Sequence, residues 1–303
     1  MGIVAAGQKL SKAAQRETMA GYMFMGPMLI GVIILVLIPV LATIVLGFTD
    51  WNFVAGFEQA KFIGLDNFTK LLDDDIFLTS MKNNFLLLFV VPIGMAIALL
   101  LAIIINSHVY LKDTMKVIYF MPYISSVVAV AVVFQVLFHP TFGPINQFLM
   151  SIGIDNPPKW LSDINFALPS VMFIMIWVQI GFKLIIYMAA LQNIPRDLYE
   201  AASIDGANGW HKFKKITLPM LSSTSFFLLI IGIIGTFKVF DLIAVLTAGG
   251  PSNSTSVAVY YLYDTAFVNL KSGYASAIAM VLLLFVFIIT LIQWVAQKKW
   301  VNE

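Results

Sequence analysis

The chain has 303 residues, of which 60% are apolar and 11% charged, and its formal net charge is +2 with a mean hydropathy of +0.91. Soluble globular domains carry about 25% charged residues, so this composition excludes that class and indicates an integral membrane protein. Because cysteine is absent, disulfides, thiol nucleophiles and thiolate metal sites are also excluded.

Six apolar runs approach or exceed the roughly 20 residues with which a helix spans a bilayer. They predict an all-α integral membrane protein with six transmembrane helices in one domain, residues 21–296, between an N-terminal segment 1–20 and a tail 297–303. The first run is longer than the apolar core of a signal peptide and no A-x-A site follows it, so we expect an uncleaved helix. The predicted spans are residues 21–46, 83–105, 117–138, 166–190, 224–246 and 274–296.

The basic residues between the spans predict the orientation of the chain, since cytoplasmic loops are enriched in Lys and Arg. With both termini in the cytoplasm, the inner segments hold 11 basic residues and the outer segments hold five. We therefore expect a multi-pass protein with both ends inside. The inner residues are Lys9, Lys12, Arg16, Lys112, Lys116, Arg196, Lys212, Lys214, Lys215, Lys298 and Lys299, and the outer ones are Lys61, Lys70, Lys82, Lys159 and Lys271.

The three predicted outer segments are too short to be independent domains. The first, residues 48–82, should be a polar cap with some helix around residues 68–72. The second, residues 139–165, places Trp160 as an interfacial anchor. The third contains a Gly-Gly-Pro turn before a possible interfacial helix through residues 260–267.

The polar loop after the fourth span, residues 195–219, has the most informative spacing in the chain. Pro195 should end the preceding helix, because its ring fixes φ and removes a backbone donor. Asp197 and Glu200 have the spacing of an acidic capping box, so a short helix is expected to begin near Leu198.

The end of that short helix is predicted from a glycine. Gly206 can take the left-handed conformation that ends a helix, and Asn208 can cap a second helix that continues towards Phe213. The sequence therefore predicts helix, tight turn, helix. The alternative is a basic loop that only fixes topology through its clustered lysines.

Three ionisable residues fall inside predicted spans, where a charge costs at least ~2.5 kcal/mol on insertion scales. Lys183 lies about two turns from the end of span four and is expected to snorkel to the interface. Lys238 and Asp241 in span five are three residues apart and can pair on one helix face. That pair is either a neutral structural contact or part of a hydrated pathway for a polar solute, against which Phe237 and Phe240 could pack.

Further candidate pathway residues lie in spans three and four. Tyr123 follows a proline, which permits a bend that a gating helix could use. Trp177 and Gln179 lie in span four. Ordinary helix packing remains the alternative for both aromatic residues.

No catalytic or nucleotide-binding motif is present. The chain lacks G-x-x-x-x-G-K-[ST], G-x-S-x-G and H-E-x-x-H patterns, so by itself it is not expected to bind ATP phosphates or to act as an enzyme. Its three histidines, His108, His139 and His211, fall in different loops, and no metal site is predicted.

Several motifs together resemble one family. Glu200-Ala201-Ala202, three residues, Gly206 and then Ile216-x-Leu218-Pro219 resembles the EAA loop of binding-protein-dependent ABC import permeases. Three further motifs are similar to the sugar-permease branch, represented by the larger maltose permease and the glycerol-phosphate permease. They are Gly64-Leu65-Asp66-Asn67-Phe68, Asp205-Gly206-Ala207, and Phe240-Asp241-Leu242-Ile243 leading to Leu246-Thr247-x-Gly249-Gly250-Pro251. Asn208 stands where that family often has Ser.

The resemblance implies a type I ABC importer permease fold with a cytoplasmic coupling helix, in the bilayer of a bacterial or archaeal cell (inner) membrane. It implies a second, different permease, two ATPase subunits or domains that bind ATP and Mg²⁺, and an extracytoplasmic solute-binding protein that delivers a carbohydrate for transport by alternating access. No cofactor in this chain and no nucleic acid partner are expected. The ATPase-coupling residues that it implies are Glu200, Ala201, Ala202, Asp205, Gly206, Ala207 and Phe213.

An ion-coupled secondary transporter of a small polar solute is the alternative from another class, because Asp241 could be an ion site. It predicts uptake that survives without an ATPase and collapses with the ion gradient.

Overall fold

The computed structural model describes residues 12–300 apart from 57, 59 and 109. Residues 1–11, which include Lys9, and residues 301–303 lie outside the described residues. They belong to the two predicted terminal segments, residues 1–20 and 297–303. Within the described residues the chain is helical, and its only strand-like contact is a single bridge between Thr49 and Phe62. This confirms the predicted all-α class.

The helices are numbered in chain order. Wide turns, each a single turn of π-helix, interrupt them at Ile33–Leu37, Phe213–Thr217 and Asp264–Val268. A short 3-10 helix covers Phe53–Ala55. The helices are α1 (Lys12–Val32), α2 (Ile38–Leu46), α3 (Asp66–Leu72), α4 (Asp75–Leu87), α5 (Val90–His108), α6 (Lys112–Ile124), α7 (Val127–Leu137), α8 (Pro144–Ser151), α9 (Ile164–Gln192), α10 (Arg196–Ile204), α11 (Gly209–Lys212), α12 (Leu218–Met220), α13 (Ser222–Phe237), α14 (Asp241–Leu246), α15 (Ala258–Tyr263) and α16 (Ser272–Trp300).

Four helical stretches are long and apolar enough to cross a bilayer: Thr18–Leu46, Asp75–Asn106, Ile164–Gln192 and Ser272–Gln297. Two bent pairs, α6 with α7 and α11–α12 with α13, bring the number to six if each pair is one crossing. The small helices α3 and α15 lie where the sequence predicted helix in the first and third outer segments.

The third predicted span, residues 117–138, is not a straight helix. Its two halves, α6 and α7, meet at 94°. The bend follows Pro122 by three residues, where Ser125 and Ser126 take extended ψ angles of 154° and 125°. A serine pair in extended conformation interrupts the ladder of helical hydrogen bonds, and hydropathy alone gives no sign of it.

The fifth predicted span, residues 224–246, is also corrected. Helix α13 ends at Phe237, and Phe240 takes φ −136° and ψ −61° before α14 begins at Asp241. The apolar side of α14 packs on α7, where Leu242 and Ile243 join one buried cluster with Val130 and Phe134. Tertiary packing against α7 therefore divides an apolar run that reads as continuous.

The loops gather at two opposite ends of the helix bundle. At one end, which we call the outer end from the predicted orientation, Asn83 Nδ2 donates to Ser256 O at 2.8 Å and so joins the start of the second predicted span to the third outer segment. At the other, inner end, Phe213 packs against a buried cluster that contains Ile105 near the end of α5 and Ile194 after α9. Loops that alternate between two ends are what successive crossings of a bilayer require.

The glycine-started motif of residues 64–68 fastens the outer end of the first span. Gly64 has φ +61°, and Asn67, 4% exposed, donates from Nδ2 to Gly47 O at 2.9 Å and Thr49 O at 2.8 Å. The amide thus satisfies two carbonyl groups at the end of α2 that have no partner within their own helix.

A carboxylate joins three outer elements. Asp74 caps α4 through Oδ1, which accepts from Ile76 N and Phe77 N, while Oδ2 accepts from the hydroxyls of Tyr261 and Tyr274, each at 2.6 Å. Burial alone would raise the pKa of Asp74, but these hydrogen bonds outweigh it and hold the pKa below its ordinary value. The ionised carboxylate therefore stabilises the outer end of the bundle.

Replacing Asp74 with Asn should keep the helix cap and lose an acceptor for the two tyrosines. We expect Asp74→Asn to lower the free energy of unfolding by about 1.5–3 kcal/mol at neutral pH. Because the folded-state pKa is lowered, this stabilisation is present above the ordinary pKa of Asp and is lost as the pH falls through the folded value. Thermal unfolding in detergent measures it, with exposed Asp73→Asn as the matched control; equal melting of the two variants at neutral pH would contradict the assignment.

Candidate functional site

The polar inner loop forms the predicted helix, tight turn and helix. At the end of α10 the N–H of Ala207 donates to Ala202 O at 2.9 Å and the N–H of Gly206 donates to Ser203 O at 3.1 Å, while Gly206 has φ +78°. These two bonds and the left-handed glycine form a Schellman motif. This geometry explains the residue pattern. Gly206 supplies the positive φ, and Ala202 and Ala207 occupy the two positions at which a Schellman motif commonly has an apolar contact.

The two starts of the loop helices differ in how well the sequence predicted them. Asn208 caps α11, its Oδ1 accepting from His211 N at 2.8 Å, as expected. The predicted capping box of Asp197 and Glu200 is wrong, since α10 begins at Arg196 directly after Pro195 and no side chain caps it. Asp197 instead lies in the first turn, where its charge suits the helix dipole.

The EAA-like residues divide into an exposed set and an anchored set. Glu200, Ala201, Asp205 and Gly206 are exposed, whereas Ala202, Ala207 and Phe213 are partly buried. Phe213 packs into the inner end of the bundle, and the hydroxyls of Tyr199 and Thr217 lie 2.9 Å apart between α10 and the following wide turn. The loop is therefore a surface held rigidly against the helices behind it.

Two exposed apolar side chains on this surface were not predicted from the sequence. Ile204, the last residue of α10, is 87% exposed, and Trp210 on α11 is 70% exposed. Their chain neighbours Asp205 and His211 line a cleft of about 480 Å³ together with Gly206, Asn208 and Lys212. Large apolar side chains that remain exposed on a small polar loop are typical of a protein contact. Their closeness in sequence to Gly206 is the signal from which they could have been predicted.

The predicted pathway residues of spans three and four lie on α6 and α9. Tyr123, 42% exposed, stacks on Phe182 with ring centroids 5.0 Å apart, and Trp177, 41% exposed, meets Phe134 edge to face at 5.3 Å. Each therefore combines a packing contact with an open face.

The prediction that Lys183 snorkels to the interface is wrong. It is 3% exposed, and its Nζ donates to Gln179 Oε1 at 3.1 Å. The ammonium lies against Gly94 of α5, where an added Cβ would come within 2.9 Å of it. Because Gly94 has no side chain, it leaves space for this buried cation. Gly94 is distant from Lys183 in sequence, so the burial of Lys183 could not be predicted from the residues around it.

The fifth-span residues also depart from expectation. Lys238 and Asp241 do not share a helix face, because the chain breaks between them; both are exposed, and the ion pair found among the described residues joins Lys116 and Asp113 instead. Phe237 is 1% exposed and packs edge to face on Phe85, which gives it a packing role in this conformation. Phe240 is partly exposed and contacts Tyr260 and Tyr263.

The Gly-Gly-Pro turn belongs to a fastened outer loop. Gly249 has φ +78°, and an added Cβ would lie 2.8 Å from the ring of Tyr260, so both its conformation and its close contact require glycine. Thr255 Oγ1 lies 2.7 Å from Thr247 Oγ1 and donates to Gly250 O at 2.8 Å. These bonds hold the left-handed residues of the turn in place.

Buried amides of α4 fix this outer loop to the second span. Asn84 Oδ1 accepts from Ala258 N at 2.8 Å, its Nδ2 donates to Thr236 O at 3.1 Å, and Asn83 holds Ser256 as described above. This pair was not predicted from the sequence, although two consecutive asparagines open the apolar run of the second span. In the part of the chain that the structure describes, no group of three His, Asp or Glu side chains is placed to hold a metal ion.

The chain matches the family model described as the binding-protein-dependent transport system inner membrane component over residues 91–301. It belongs to this family, whose members are transport permeases of the inner membrane.

Similar proteins come from several bacteria. YesP of Bacillus subtilis strain 168, described as a probable ABC transporter permease protein, is 35% identical and covers 97% of this chain and 95% of its own length. The lactose transport system permease protein LacF of Rhizobium radiobacter is 33% identical (92% and 94%), and the diacetylchitobiose uptake system permease protein NgcF of Streptomyces coelicolor A3(2) is 34% identical (86% and 76%).

A solved structure shares the fold of the whole chain. A chain of a bacterial alginate ABC transporter, crystallised in complex with its alginate pentasaccharide-bound periplasmic protein, superposes with a TM-score of 0.83 at 26% identity and covers 96% of this chain and 98% of its own. The fold is therefore that of an ABC importer permease.

Proposed function

We propose that this chain is one permease of an ATP-driven importer that takes up a carbohydrate delivered by a solute-binding protein. The observation that carries the proposal is the rigid inner loop of residues 195–219 in a chain of this family. ATP and Mg²⁺ bind on two partner ATPase subunits or domains, and a second, different permease completes the pathway. Both termini lie in the cytoplasm, and the two bent helix pairs each cross the membrane once, giving six crossings.

The inner loop is suited to transmit force. Its first helix is bonded to the following turn through Tyr199 and Thr217, and Phe213 packs into the bundle, so a push on the exposed side of α10 moves the helices behind it. Ile204 and Trp210 provide apolar contacts for the ATPase surface, with Glu200 and Asp205 as polar contacts around them.

The carbohydrate assignment is supported by the relatives named for lactose and diacetylchitobiose and by the alginate transporter. The chemistry of the candidate pathway agrees with it, because exposed rings at Tyr123 and Trp177 can stack on sugars and polar groups at Lys238 and Asp241 can bond hydroxyls. Gln179 accepts a hydrogen bond from Lys183 and so positions that cation. Phe240 contacts Tyr263 and so connects the candidate pathway to the outer aromatic residues.

Uptake by membrane vesicles that contain the complete importer separates the proposal from an ion-coupled transporter. With radiolabelled lactose, maltotetraose and diacetylchitobiose as probes, we expect uptake of at least one glycan that requires internal ATP and the binding protein and persists when ionophores collapse the ion gradients. Uptake that survives ATP removal and stops with ionophore would overturn the proposal, as would purification of the chain in mild detergent without any ATPase subunit.

A further inference from the structure

Four aromatic rings form a continuous row at the outer end of the fifth span. Phe240 stacks on Tyr260 with centroids 6.2 Å apart and contacts Tyr263 at 4.9 Å; Tyr263 in turn contacts Phe267 at 5.4 Å. The row thus runs from the wide turn after α15 to the break between α13 and α14, where the candidate pathway residues of span five lie.

The row opens outwards as it leaves the helix break. Phe240 and Tyr260 are partly buried, Tyr263 is 41% exposed and Phe267 is 68% exposed. Core packing explains the inner rings, since Tyr260 also covers Gly249, but it does not explain two large exposed rings placed in contact with one another.

The charges beside the row argue against a lipid-facing aromatic belt. Lys238 and Asp241 flank Phe240, both are exposed, and within the described chain neither side chain has a hydrogen bond or an ion pair. Unpaired charges against hydrocarbon are costly, so this surface faces water or a polar occupant.

Resting on the proposed function, we propose that this aromatic row binds sugar rings as they pass from the solute-binding protein to the membrane pathway. A pyranose presents C–H bonds on its flat face and hydroxyls around its edge. The face stacks on Phe267 and Tyr263, and the edge hydroxyls bond to the Asp241 carboxylate and the Lys238 ammonium. The ligand is therefore a chain of at least two neutral sugar units rather than a small ion.

The test uses the complete importer in nanodiscs without its binding protein. Saturation-transfer NMR measures contact between protein aromatic protons and lactose, maltotetraose or diacetylchitobiose. Phe267→Ala and Tyr263→Ala should each weaken the transfer about three- to tenfold, the range expected for losing one stacked ring. Tyr263→Phe keeps the ring and should match the unmodified importer, as should Phe148→Ala, which removes an exposed ring of α8 outside the row.

Several results would overturn the inference. They are absence of transfer to all three glycans in the unmodified importer, transfer to lipid acyl protons in their place, equal transfer in the alanine variants, and loss of the second permease from the purified Tyr263→Ala complex, which would make the row a subunit contact. ATP-driven uptake in the vesicle experiment with unchanged transfer in the variants would reject the row alone. Absence of ATP-driven uptake would reject the proposed function instead.

Discussion

Gly181→Leu is expected to prevent α6 from docking on α9 and to leave no folded permease in detergent. A Cβ at Gly181 would lie 2.0 Å from Tyr119 O and 2.7 Å from Phe120 Cα. Both are backbone atoms and cannot rotate away, so α6 must move as a whole. Small residues let membrane helices approach this closely, and their replacement removes the contact.

The smaller change Gly181→Ala should still lower the free energy of unfolding by about 1–3 kcal/mol through overpacking, less the ~1 kcal/mol by which alanine favours a helix over glycine. Gly235→Ala is the matched control, because Gly235 also lies in a membrane helix but has no atom within 4 Å of an added Cβ. It should melt at or above the temperature of the unmodified protein. Thermal unfolding followed by size-exclusion chromatography measures both, and a Gly181→Leu protein as stable as the control would contradict the packing argument.

The same contact positions the candidate pathway. Helix α6 carries Tyr123 and α9 carries Phe182, on which Tyr123 stacks, as well as Trp177 and Gln179. A displacement of α6 would therefore separate the pathway residues even where the bundle still folds.

Sequence patterns predicted what depends on local chemistry. Apolar runs located the four long apolar helices, since length and hydropathy suffice for that purpose. Gly206 and Asn208 were predicted at the turn of the inner loop because left-handed φ and helix capping are properties of single residues. The small helices α3 and α15 also lie where expected.

What depends on tertiary contact was not predictable. The break after Phe237 arises because α14 packs on α7, and the burial of Lys183 depends on Gly94 in another helix. Asn83 and Asn84 bond to the loop near Ser256 and Ala258, far along the chain. No periodicity in one segment encodes a partner in another, so the pairing of Lys238 with Asp241, inferred from spacing alone, was wrong.

The second large effect is expected in the inner loop, at Gly206. A substitution there changes the preferred backbone conformation without introducing a steric clash. Its φ of +78° is left-handed, yet an added Cβ would meet no atom within 4 Å. Gly206→Val places a β-branched residue where left-handed backbone costs roughly 1–2 kcal/mol. It should therefore unwind the last turn of α10, which carries Ile204.

We expect Gly206→Val to reduce solute-stimulated ATP hydrolysis of the assembled importer by about 5–30-fold, the factor that one or two kcal/mol represents. Gly206→Asn is the matched control, since asparagine tolerates the left-handed region and should retain most of the stimulation. Both variants should fold, because the loop end is exposed and lies outside the buried clusters. Equal stimulation in the two variants would show that the shape of α10 does not transmit the motion, and equal loss would show that the ATPase surface approaches Gly206 too closely for any side chain.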